Sequence, residues 1–130
     1  MKRIIYQTPE GGVAVIIPAD TIEACMKDIP KGAEYAIVDT ADIPTDRTFR
    51  NAWKNEGGIK VDMGKAKDIT KDRLRYERKP LLEAQDVAFQ RALETGADTS
   101  AIVKEKQRLR DITKQVDALT SLDELKALAL

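Results

Sequence analysis

The sequence predicts an α+β protein: a small N-terminal antiparallel β unit with one short helix over residues 1–62, then a C-terminal helical hairpin or coiled-coil arm over residues 63–130. Three observations carry this. Short β-branched runs separated by turn formers fill the first part. At Asp62 the apolar period changes from two to about 3.6. The stretch over 62–94 consists of helix formers throughout, with Asp62 placed as a cap and Gly96 beyond the end for a left-handed cap. As one rod that stretch would extend about 48 Å at about 1.5 Å per residue. Something must therefore pack along it, either the rest of the chain or another copy.

The elements follow in order. Residues 2–6 and 13–17 are β-branched runs separated by Thr8-Pro9-Glu10-Gly11-Gly12, which predicts a hairpin whose loop uses the glycines. Pro18 ends the second strand, and Asp20 or Thr21 caps a short helix through about Lys27 with Ile22, Cys25 and Met26 on one face. Ile29-Pro30-Lys31-Gly32 stops it. Residues 34–39 form a third strand, and Asp42, Pro44 and Asp46 mark the loop after it. Phe49 and Trp53 are expected to anchor the core of this head, because large aromatics dominate small cores. Asn55-Glu56-Gly57-Gly58 turns a strand near Trp53 back into another over 59–61.

Beyond Asp62, Leu74, Leu81 and Ala88 recur at seven residues, as do Leu82 and Phe89, giving a sustained apolar face. Pro80 predicts a kink or break near Lys79, since an interior proline removes a helix hydrogen bond at a cost of about 3 kcal/mol. Thr95-Gly96-Ala97-Asp98 is a short loop, so the next helix should return antiparallel with Ile102, Val103, Leu109, Ile112 and Val116 on its apolar face. Ser121 and Glu124 form a capping box that opens a last short helix.

Composition restricts the function classes. Lys and Arg number 22 against 22 Asp and Glu, so no whole-surface attraction to nucleic acid or anionic membrane is expected. No apolar run approaches the roughly 20 residues needed to cross a bilayer, and the N-terminus lacks the core of a signal peptide, so the protein is expected to act first in the cytoplasm. One cysteine, Cys25, and no histidine remove the commonest parts of metal hydrolysis and of Ser-His or Cys-His catalysis. Neither the carboxylates nor Gly11-Gly12 fit a catalytic, calcium or phosphate-loop signature. The reading is a protein without enzymatic activity, cofactor or metal.

Charge is uneven along the long helix. Lys65, Lys67, Lys71, Arg73, Arg75, Arg78 and Lys79 face only Asp68, Asp72 and Glu77 in one half, whereas Glu83, Asp86, Glu94 and Asp98 face Arg91 alone in the other. A solvated face with i,i+4 pairs accounts for the basic half, with oligomer contact next and nucleic-acid binding last, since only Tyr76 is interleaved there.

The segment AEYAIVDTADIPTDRTFRNAWK, then VDMGKAK, then KPLLEAQDVAFQRALETGADTSAIVKEKQRLRDIT resembles a group of small tailed-bacteriophage and prophage proteins from the tail-fibre gene region. The string from Asp46 to Trp53 is the most recognisable part, and Arg108-Leu109-Arg110-Asp111-Ile112 ahead of a closing helix is similar to the C-terminal portion of tail fibre assembly proteins. Residues 122–130 depart from that group by carrying no tryptophan where it has a Trp-rich segment. The resemblance implies a tail or tail-fibre assembly protein, a virion-assembly chaperone, whose partners are phage tail or tail-fibre proteins and copies of itself, a homo-oligomer in the host cytoplasm. The alternative it implies is a permanent structural component of the virion tail, at the tip or fibre attachment. A small nucleic-acid-binding regulator is a further alternative. The protein interface expected along the arm comprises Leu74, Leu81, Leu82, Val87, Phe89 and Leu93.

Overall fold

The computed structural model describes residues 1–130. The fold is α+β, with antiparallel strands and one short helix preceding long helices. The chain divides into two compact units, Met1–Ala66 and Lys67–Leu130.

In the first unit β1 (Lys2–Gln7) pairs with β2 (Val13–Ile16) in a hairpin that runs from Ile4 opposite Ile16 to Gln7 opposite Val13. Its loop is closed by Thr8, whose N–H donates to the Gly12 carbonyl at 2.8 Å and whose Oγ1 accepts from the Gly12 N–H at 2.9 Å. Gly11 takes a φ of 89° there, a left-handed conformation that a side chain would strain. The third strand, β3 (Tyr35–Asp39), adds to the free edge of β1, giving the order β2-β1-β3. The successive residues Ile4 and Ile5 point to opposite faces of β1 and are both fully enclosed, so both faces of this strand are covered.

On one face Ile5 and Val13 pack with Trp53. α1 (Ile22–Cys25) packs against β1. Thr21 caps this helix through its Oγ1, which accepts from the Ala24 N–H at 3.2 Å. The helix expected as far as Lys27 is α-helical for one turn only and tightens into a 3₁₀ turn over Met26–Asp28. Pro30 explains this, because its ring drives Ile29 into an extended conformation, observed at φ −77° and ψ 125°.

β4 (Trp53–Asn55) and β5 (Ile59–Val61) form a separate two-stranded sheet, turned through Gly57 and Gly58 at positive φ. Phe49 and Trp53 are both buried in this unit. Gln7 ties the two sheets together: its Oε1 accepts from the Asn55 N–H at 2.9 Å while its Nε2 donates to the Gly12 carbonyl at 2.8 Å.

The long helix α2 (Met63–Thr95) starts at Asp62, whose Oδ1 accepts from the Lys65 N–H at 3.2 Å. Its first turn, with buried Ala66, belongs to the first unit. Of the kink or break expected near Lys79, the break does not occur: the helix continues through Pro80 to Thr95. Pro80 and Tyr76, whose carbonyl loses its i+4 donor, are both exposed, so the missing bond opens toward solvent and not inside packed side chains.

Gly96, at φ 70°, ends the helix, and Asp98, one residue ahead of the Thr99 cap of α3 (Ser100–Val116), accepts from the Ser100 N–H at 3.0 Å. α4 (Leu122–Ala127) opens on Ser121, whose Oγ accepts from the Glu124 N–H at 3.2 Å and donates to the Glu124 carboxylate at the same distance. Leu74 and Thr70 of α2, Leu109, Ile112 and Val116 of α3, and Leu125 of α4 are the buried core of this unit. No helix is long and apolar enough to cross a membrane.

Candidate protein-interaction surface

The two halves of α2 within the helical unit are used differently. In the basic half Lys67, Lys71 and Arg73 are aimed at the C-terminal ends of the other two helices, and Arg78 reaches the middle of α3. Lys67 Nζ donates to the Asp117 carbonyl at 3.1 Å, and Lys71 Nζ meets the Asp117 carboxylate at 2.8 Å, both at the C-terminal cap of α3. Arg73 Nη2 donates to the Leu125 and Leu128 carbonyls at 3.2 and 2.7 Å, closing the end of α4. Arg78 Nη1 donates to the carbonyls of Leu109 and Arg110 at 3.2 and 3.0 Å. A helix C-terminus carries unsatisfied carbonyls and a partial negative charge, so lysine and arginine are the side chains that stabilise it. Donation from Lys71, opposed by desolvation and helped by the charges of Lys71 and Lys67, holds the Asp117 carboxyl below the ordinary aspartate range. Arg75 turns instead to Asp72 on its own helix at 2.9 Å.

The half beyond Pro80 is differently packed. Its one buried apolar residue is Ala92. Leu81 and Val87 are 45% and 49% exposed, Leu93 is 60% exposed, and Val103 of α3 is 49% exposed. Leu82 and Phe89 are half-buried. Lys106 fixes the position of Phe89: its Nζ lies 5.2 Å from the ring centroid and pairs with Asp86 at 2.6 Å. Leu93 is one turn from Phe89 and Val103 one turn from Lys106, each on the loop side of that contact. Phe89, Leu93 and Val103 thus flank one edge of the hairpin, with the Lys106–Asp86 pair on the same edge. The Tyr76 ring, 83% exposed, and Val87 lie on the opposite face of α2, eleven positions or about three turns apart.

Of the six side chains expected along the arm, Leu74 is removed from any interface by the structure, since it is fully enclosed in the core of the helical unit. Leu81, Val87 and Leu93 are exposed, while Leu82 and Phe89 are partly covered. Sequence reasoning placed Val103 on the inner face of its helix and gave Tyr76 no role in contact. The sign available was the spacing: Val103 falls six residues before Leu109, off the Ile102–Leu109–Ile112–Val116 stripe.

Comparison of the chain with protein-family models, with curated proteins and with solved structures finds no match.

Proposed function

We propose that this protein serves tailed-bacteriophage tail or tail-fibre assembly, and that it acts by protein–protein contact through the half of its helical hairpin beyond Pro80, without catalysis. The observation that carries the reading is the exposure of Leu81, Val87, Leu93 and Val103 on a hairpin whose core is concentrated around Leu109, Ile112 and Leu125. Of these, Leu93 and Val103 flank the edge that also carries Phe89, and half-exposed apolar side chains along one helical edge are the substance of helix-mediated association. The resemblance of residues 34–130 to tail-region phage proteins supplies the setting, and tails are built from symmetric oligomers. The nucleic-acid reading is weakened by the engagement of Lys67, Lys71, Arg73 and Arg78 with carbonyls and carboxylates of the same chain.

Light scattering on the purified protein tests the contact, with Leu93→Glu as the variant. The expected outcome is an oligomer that dissociates in Leu93→Glu while its helix content and melting temperature are kept. A wild type that is strictly monomeric, alone and when mixed with tail-region proteins, would overturn the reading. Mass spectrometry of purified particles then separates an assembly factor, absent from them, from a virion subunit present at a symmetric copy number.

A further inference from the structure

The β unit contains a cavity of about 330 Å³ at the end of its larger sheet, where β1 begins and β3 finishes. Its walls include the aliphatic side chains of Val15, Ile17, Ile43 and Pro44, and its charged members are Arg3 and Arg47. Arg3 lies opposite Val38 on β3, on the same face of β1 as the core residue Ile5. Its Nη1 is sealed from water and has no hydrogen-bond partner. A guanidinium N–H buried without an acceptor is a standing cost to the fold, which an ordered water or a bound anion relieves.

Two of the three carboxylates in this region, Asp39 and Asp46, have partners of their own, and Asp42 is exposed. Asp39 accepts from Lys2 Nζ at 3.2 Å and pairs with the N-terminal ammonium at 3.3 Å. Asp46 accepts from the N–H and Oγ1 of Thr48 at 2.9 and 2.6 Å. Thr45 adds a hydroxyl to the cavity wall. Two guanidinium groups, whose planar forks match a carboxylate, stand over aliphatic walls that a fully hydrated dianion would have to strip its water to meet.

We propose that this cavity binds a monoanionic organic carboxylate, with Arg3 and Arg47 taking the carboxylate and the aliphatic walls taking a short alkyl chain. The site lies within Met1–Ala66 and does not depend on the helical contact proposed above. The test is an NMR titration of the full chain with hexanoate, and with hexanamide and inorganic phosphate as the neutral and inorganic probes. Hexanoate should shift the amides of residues 3, 15–17 and 40–47 saturably, hexanamide should not, and phosphate should bind at least tenfold more weakly. Arg47→Gln, a substitution at an exposed position, should weaken hexanoate at least tenfold with the spectrum otherwise retained. Arg3→Met should abolish it. Equal binding of hexanamide would make the cavity a plain apolar cleft, tighter binding of phosphate would make it an inorganic-anion site, and unchanged affinity in Arg47→Gln would remove the arginine clamp; each overturns the proposal.

Discussion

Replacing Arg73 by methionine tests whether the basic half of α2 exists to hold the closing helix. Methionine keeps most of the aliphatic stem and removes the guanidinium, which donates to the Leu125 and Leu128 carbonyls at 3.2 and 2.7 Å. α4 has six residues, far fewer than the roughly 12–15 at which an isolated helix becomes even marginal, so it depends on Leu125 packing and on its two caps. Hydrogen bonds to a charged group contribute about 1.5–3 kcal/mol. The Arg73 side chain is 34% exposed, and its contact with Glu77 at 3.4 Å is long, so the lower end of that range, about 1.5 kcal/mol, is appropriate. For a domain of this size each kcal/mol moves the melting temperature by about 4–8 °C, so the loss should be about 6–12 °C. Thermal unfolding by circular dichroism measures the total, and amide hydrogen exchange shows where it falls. Protection should drop first over 122–130. Arg75→Met is the matched control, because Arg75 pairs only with exposed Asp72 and should change stability by no more than about 0.5 kcal/mol. Equal shifts in the two variants, or unaltered exchange over 122–130, would refute the capping role.

Two further outcomes follow from the helical unit. Pro80→Ala restores a donor at an exposed helix position and should raise stability by up to about 3 kcal/mol, read as a higher melting temperature; a fall would show that the proline supports a bend the unit needs. Asp117 has its folded pKa depressed chiefly by donation from Lys71, so its contribution is present above the unfolded aspartate value of about 3.9 and is lost as pH falls through the lower folded value. Asp117→Asn should therefore flatten the acid limb of the stability profile below about pH 4, followed by thermal melts across that range, while an identical limb in the variant would contradict the assignment.

Much of the fold was legible because its signals are local. The strands over Lys2–Gln7 and Val13–Ile16, the glycine turns, the Thr21 and Ser121 caps and the reversal at Gly96 each need only a few neighbouring residues to specify them. The 3₁₀ tightening after Cys25 was missed although its cause, Pro30, was in plain view, because propensity weighs a residue's own preference more readily than its effect on the one before it. Whether Pro80 kinks the helix or breaks it was not legible for another reason: the cost of a lost helix bond depends on whether its carbonyl reaches water.

The interaction surface was less legible, since a heptad count says that a leucine is apolar and not whether the same chain covers it. Leu74 and Leu81 stand seven residues apart and read alike, yet one is enclosed and the other is 45% exposed. The sequence by itself determined the element types, the caps and the two-part α+β organisation, all of which arise from backbone preferences and hydrophobic period. Only the tertiary structure decided which cations close which helix ends, that Arg3 Nη1 is buried without an acceptor, and where along the hairpin the core stops. These depend on distances between residues far apart in the chain, and a dihedral preference or a period carries no information about them.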